Sequence, residues 1–259
     1  MNTAAIRALY DEQERRNAQG AGTERIAAAH TVRHVDRRGG RSFVLYSNLH
    51  GLGDAQIEAV IAAEVAFFGA LDMEFEWKVY EHDAPPDLRE RLIAHGFSDE
   101  DWETLLISDL SSAPSRLFDL RGQAIERLND PAQVDDVMRV SKAIWGPDEH
   151  GMADRLRREL VESPEATSIF LARVAGEPVG AAWVNYTPES DFASLFGGGV
   201  LEPFRGQGVY GALLAARARE ARERGRRYLM IDAGPMSLPI VESLGFIRVS
   251  RSCPCAFSP

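Results

Sequence analysis

The sequence predicts an α/β chain with a mixed sheet and helices on both faces, on three observations. Strand-length apolar runs alternate with longer segments whose apolar residues recur at helical spacing. In the second half, three adjacent strand-like runs are joined by short turns, and two later ones are reached only through helix-length crossovers. The two halves also repeat one order of elements on either side of Ser111-Ser112-Ala113-Pro114-Ser115, the most linker-like stretch of the chain.

In the first half, residues 41–49 read as a strand. Asp54 is placed to cap a helix carrying Ile57, Val60, Ile61, Phe68 and Leu71 on one face. Residues 75–80 alternate as a strand, 86–94 form a short helix ending at Gly96-Phe97, and 102–110 return as a strand. The second half opens with a strand over 124–128. Asp130-Pro131 then supplies the cap and first-turn proline of a helix whose inner face carries Val134, Val137, Met138, Ser141, Ile144 and Trp145. His150 reads as a solvated histidine before a second, arginine-rich helix over 152–161. Strands over 167–174 and 179–186 flank the hairpin connection Ala175-Gly176-Glu177-Pro178. Residues 192–200 are a strand, 209–224 a helix closed by Gly225, 228–232 a strand, 237–243 a short helix ending at Gly245-Phe246, and a last strand starts near Ile247. The order from 113 onward is β-α-α-β-β-β-α-β-α-β. Leu92-Ile93-Ala94-His95-Gly96-Phe97 rhymes with Val241-Glu242-Ser243-Leu244-Gly245-Phe246, and His82-Asp83-Ala84 with Ile231-Asp232-Ala233. A duplication is the simplest source of that agreement, with domains over 1–112 and 113–259.

At 259 residues, 45% hydrophobic and 26% charged, the composition is that of an ordinary globular protein. No apolar run approaches the ~20 residues that span a bilayer, and the first residues carry neither the basic region nor the apolar core of a secretory signal. Cys253 and Cys255 are too few for a disulfide framework or an unaided metal site and read as incidental thiols, so no metal and a cytoplasmic setting are expected. A net charge of −10 argues against nucleic acid as a partner, and nothing points to a membrane. Arg217, Arg219, Arg222 and Arg224 are interleaved with Glu220 and Glu223 and read as a solvated helix face rather than a basic patch.

The most informative segment is Val200-Leu201-Glu202-Pro203-Phe204-Arg205-Gly206-Gln207-Gly208-Val209-Tyr210-Gly211, between a strand and a helix. Glycines permit close backbone approach, and the helix N-terminus behind them presents unpaired N–H groups and a positive dipole end, a combination suited to a phosphate or pyrophosphate. Residues 206–211 are a literal G-x-G-x-x-G, and Asp232 lies 21 residues beyond Gly211, as a dinucleotide fold would have it. Against that fold, residues 202–205 separate the strand from the first glycine, and only 27 residues follow Asp232.

Loop and element order together resemble the GNAT superfamily of N-acetyltransferases over about 135 residues. Val200 and Arg205-Gly206-Gln207-Gly208-Val209 match its Arg/Gln-x-x-Gly-x-Gly/Ala pattern, Tyr210 stands where Gly or Ala is usual, and Leu244-Gly245-Phe246 resembles its last helix ending. The resemblance implies an acyl-CoA N-acyltransferase fold, in two tandem GNAT-like domains of which the first lacks the cofactor loop. It implies acetyl-CoA as co-substrate, its pyrophosphate held at Arg205, Gly206, Gln207, Gly208, Val209, Tyr210 and Gly211, and its thioester against the edge of Gly198, Gly199 and Val200. The acceptor is then a small-molecule or peptide amine, which the acidic surface biases toward cations. The chain departs from the family at two catalytic positions. Residues 193–197 carry no carboxylate, and Val241 occupies the usual tyrosine position. Asp232 and Ser237 are the weak catalytic candidates, with a helix cap the simpler role for Ser237. Trp145, Trp183 and Tyr186 are either acceptor-pocket or core aromatics. A non-catalytic acetyl-CoA-binding regulatory module is the alternative function; the oligomeric state is left open.

Overall fold

The computed structural model describes residues 2–20, 22–147 and 151–259, so His150 lies outside the described residues. In chain order the elements are α1 (Thr3–Tyr10) with a π-helical continuation Asp11–Arg16, β1 (Glu24–Ala27), β2 (Thr31–Val35), β3 (Ser42–Ser47), α2 (Asp54–Gly69), β4 (Phe75–Tyr80), α3 (Leu88–Ala94), β5 (Glu103–Asp109), a 3-10 turn Ser115–Phe118, β6 (Ile125–Arg127), α4 (Val134–Trp145), α5 (Met152–Glu162), β7 (Thr167–Val174), β8 (Glu177–Asn185), β9 (Phe192–Val200), α6 (Val209–Glu223), β10 (Tyr228–Ala233), α7 (Leu238–Ser243) and β11 (Ile247–Phe257). From β3 onward this is the expected order. Asp54 is the first helical residue of α2 rather than its cap, which falls to Gly53, and its carboxylate instead takes the Arg91 guanidinium at 2.7 Å. The helix and two strands before residue 41 lie beyond the sequence reading.

The elements group into two compact units, residues 106–248 and residues 2–105 with 249–259. In the C-terminal unit the strands lie in the order β5-β10-β9-β8-β7-β6. Strand alternation builds its two faces: Phe170, Ala172, Ala182 and Val184 pack with Leu213, Leu214 and Ala218 of α6, while Ile169, Leu171, Ala181 and Trp183 pack with Val137, Met138 and Val140 of α4 and Leu156 of α5. Helices therefore cover both faces.

The N-terminal unit has the order β1-β2-β3-β4-β11. Its last strand comes from the far end of the chain. β11 pairs antiparallel with β4, Ser252 opposite Tyr80 and Phe257 opposite Phe75, and its Cys253 and Cys255 are buried with Phe75, Trp77 and Phe97. Leu106 of β5, by contrast, packs in the core of the C-terminal unit.

β3 and β4 run parallel and pair only at Ser42/Phe75, Phe43/Glu76 and Val44/Trp77. Beyond Val44, side chains stand in for the ladder. Arg15, 2% exposed, donates Nε to the Leu45 carbonyl of β3 at 3.2 Å and Nη2 to both Asp83 oxygens at 2.8 Å. Asp83 in turn accepts the Tyr80 N–H of β4 at 2.9 Å. The guanidinium stacks 3.9 Å over the Tyr80 ring and reaches Asp11 at 2.7 Å, and Asp11 accepts His82 Nε2 at 3.0 Å. Replacing Arg15 with alanine takes the guanidinium from two carboxylates, leaving the nearly buried Asp83 with the Tyr80 N–H and Asp11 with His82. It is expected to cost about 3–5 kcal/mol, read as a lower urea midpoint. Burial pushes the Asp11 carboxyl up, but the His82 hydrogen bond and the Arg15 charge outweigh it and hold it below the usual aspartate value. Its contribution is thus complete at neutral pH and is lost as acid carries the pH down through that lowered value.

Candidate functional site

In the C-terminal unit a second parallel pair parts company. β10 pairs with β9 from Tyr228/Phe192 to Ile231/Leu195, after which β9 runs on to Val200. On its other side β9 carries one extra residue against β8, between the pairs Trp183/Phe196 and Ala181/Gly199. This bulge needs its glycines. Gly197 has φ +57°, and a Cβ there would overlap the Trp183 indole. At Gly198 a Cβ would stand 3.3 Å from both Arg217 Nη2 and the Tyr210 ring, and at Gly199 it would meet Ile144 and Trp145 at 2.6 Å.

Past Val200 the chain makes a 3-10 turn, Glu202–Phe204, and then the glycine loop. Arg205 donates Nε back to the Val200 carbonyl at 3.1 Å, and Gln207 donates its amide to the Pro203 carbonyl at 3.1 Å. Gly206 and Gly208 take φ of +74° and +85°, a region open to glycine at little cost. α6 starts at Val209 with no side-chain cap, and the N–H groups of Gly206–Gly211 have no acceptor among the described residues. Over them lies the guanidinium of Arg121, whose Nε is 2.8 Å from where a Gly211 Cβ would be. Its turn is pinned by Gln123, which donates to the Gln207 carbonyl at 3.1 Å. Amides and a guanidinium without partners among the described residues converge on one spot with a helix dipole. Together they suit an anion such as a pyrophosphate.

Residues 134–246 match the model of the acetyltransferase (GNAT) family. The chain carries a GNAT acetyltransferase domain. No curated protein matches it. Among solved structures it is similar to a GCN5-related N-acetyltransferase from Kribbella flavida, with 15% identity, 100% of this chain and 96% of that one covered, and a TM-score of 0.70. It is also similar to a functionally unknown conserved protein from Staphylococcus epidermidis (14% identity, 91% and 94% covered, TM-score 0.64) and to a tandem GNAT protein from the clavulanic acid biosynthesis pathway (15%, 93% and 85%, 0.57). At these identities the likeness is one of fold. The match over residues 134–246 supports an acetyl-CoA-dependent acyltransferase.

Within the GNAT domain the other candidate residues fall as follows. Asp232 is half-buried at the end of β10. Ser237 stands at the N-cap of α7 but makes no cap bond; its backbone is already αR, and its hydroxyl donates to the Gly234 carbonyl at 3.2 Å. Burial raises the Tyr210 pKa, with Arg217 and Ser237 pulling the other way. Trp183 and Tyr186 are core, whereas Trp145 is 57% exposed with its ring against Gly199. The solvated arginine face needs correction at Arg217, which is fully buried because α6 turns it, one helical turn past Leu213, onto the sheet. Arg222 stacks on Phe118, and Arg219 donates to the Phe118 carbonyl at 2.7 Å. Arg121 was missed; only the Asp119-Leu120-Arg121-Gly122 turn signal marks it, the Asp119 carboxylate accepting the Arg121 N–H at 2.8 Å. Among the described residues no group of three or more His, Cys, Asp or Glu could hold a metal, and no helix is long and apolar enough to cross a membrane.

Proposed function

We propose that this protein moves an acetyl group from acetyl-CoA to a primary amine, and that the loop at the start of α6 holds the cofactor's pyrophosphate. The observation that carries this reading is the convergence of open amides at Gly206–Gly211 with Arg121, at the end of a strand that has left its parallel partner. Gly206, Gln207, Gly208, Val209, Tyr210 and Gly211 offer backbone N–H groups, Arg205 orders the loop, and Arg121 adds charge. Bound there, acetyl-CoA supplies a thioester. The strand edge Gly198–Gly199–Val200 offers the N–H donors that would orient it. With no carboxylate on residues 193–197 and a buried Val241, proton transfer falls to Asp232, or to Ser237 with Tyr210. Trp145 gives the acceptor an exposed ring beside Gly199, suited to a cationic amine.

The N-terminal unit is, in the same reading, a GNAT-like domain that holds no cofactor. Its strand gap is already bridged by Arg15 and Asp83, and Asp54 puts a carboxylate in the first turn of α2, where a phosphate would be repelled. Two buried free thiols fit a reducing cytoplasm. Calorimetry should show acetyl-CoA binding and no NAD binding; the reverse would end this reading. Thiol release from acetyl-CoA across a panel of primary amines then identifies the acceptor class, and binding without release with any amine would instead favour a sensor.

A further inference from the structure

Arg217 is a buried cation with no carboxylate. It is 0% exposed, and among the described residues its partners are all carbonyls: Nε donates to Leu213 at 3.0 Å, and Nη1 to Trp183 at 3.3 Å and Phe196 at 3.4 Å. Nη2 has no hydrogen-bond partner among the described residues. Burial lowers its pKa to about 10, which leaves it charged at neutral pH. Arg15 shows the ordinary solution, two carboxylates around one guanidinium. An unpaired buried cation is costly, and a buried donor left unsatisfied in a folded protein asks for a reason.

The bulge supplies part of one. Trp183 and Phe196 face each other across β8 and β9 where the extra residue begins, and Arg217 Nη1 spans their carbonyls. The idle Nη2 points at Gly198, at the 3.3 Å position where a Cβ would be wedged between it and Tyr210. Gly198 lies on the stretch of β9 that has left β10. We propose that Arg217 is the positioning residue of the transfer site: it clamps the bulge that presents the Gly198–Val200 edge and sets a fixed positive charge behind it. The proposal rests on the acetyl-CoA reading above. Attack of an amine on a thioester puts negative charge on the carbonyl oxygen, and a fixed charge in a dry, low-dielectric interior stabilises it without reorganisation. That help does not require the family's missing carboxylate or tyrosine.

The test uses the full chain and acetyl-CoA carrying carbon-13 at its carbonyl, with isotope-edited infrared difference spectra of the bound thioester. In wild type the carbonyl band should lie below that of free acetyl-CoA. Arg217→Met removes the charge at similar volume. It should move the band back toward the free position and lower kcat roughly tenfold, while the acetyl-CoA Kd from calorimetry changes by less than about threefold. Gly198→Ala keeps Arg217 but fills the hollow, and should shift the band the same way, so the proposal stays testable if the methionine variant does not fold. An unmoved band in Arg217→Met with acetyl-CoA bound overturns the proposal alone. So does an unmoved band in Gly198→Ala should Arg217→Met unfold. Failure of the wild type to bind acetyl-CoA overturns the reading beneath it, and the proposal with it.

Discussion

A Gly208→Glu variant is expected to lose acetyl-CoA binding while keeping a cooperative thermal transition. Gly208 sits at φ +85°, where a side chain costs about 1–2 kcal/mol, so the melting temperature should drop by only a few degrees. The larger effect is electrostatic. A Cβ there comes 3.3 Å from Arg121 Cδ, so the new carboxylate stands among the α6 amides and beside the Arg121 guanidinium. It would take the place proposed for the phosphate and repel what remains of it. The acetyl-CoA Kd should rise by at least about 100-fold, or 2.7 kcal/mol. Gly206→Ala is the contrast, since nothing lies within 4 Å of a Cβ at that position; only backbone strain acts, and the loss should be a few-fold. Equal affinity in wild type and Gly208→Glu would remove the loop from the mechanism.

Cutting the chain at 112/113 should leave neither piece folded. Residues 1–112 would keep β4 without β11, leaving the 75–80 edge unpaired and Phe75, Trp77 and Phe97 without Cys253 and Cys255. Residues 113–259 would keep β10 without β5 and lose Leu106 and Leu110 from their core. Losing a sheet neighbour and its buried side chains exceeds the 5–15 kcal/mol that holds a typical domain together. Each piece alone should precipitate or show no cooperative melt, and co-expression should recover a soluble complex. A sharp unfolding transition from the isolated second piece would refute this.

The sequence reading succeeded where the signal is local. The span of β9 and the start of α6 at Val209 follow from alternation and glycine placement, while the hairpin expected over Ala175-Gly176-Glu177-Pro178 closes in two residues, Ala175 and Gly176 at positive φ, with Glu177 and Pro178 already in β8. What stayed hidden was set by tertiary partners. Arg15 sits in the polar run Asp11-Glu12-Gln13-Glu14-Arg15-Arg16, which has no apolar period to reveal an inward side chain. Arg217 shares its helix with Arg219 and Arg222, and spacing alone does not single out the one that meets the bulge. The destination of β11 was equally hidden, because apolar alternation says that a strand has a buried face but not which sheet it joins. Of the candidate site, the glycine loop was legible and Arg121 was not, since a guanidinium brought from 87 residues upstream of Gly208 leaves no trace in the loop itself.

The bridge from Leu45 through Arg15 and Asp83 to Tyr80 also bears on how such a half could change over evolutionary time. A parted strand pair whose backbone groups are met by side chains has lost its vacancy. Removing Arg15 alone leaves the nearly buried Asp83 carboxylate with a backbone N–H in place of a guanidinium, and removing Asp83 alone leaves the buried guanidinium with only Asp11 of its two carboxylates, so each single step back passes through a destabilised protein. Selection that tolerates only small losses would therefore hold the N-terminal half in its filled form. Its freedom to diversify lies on its surface and not between β3 and β4.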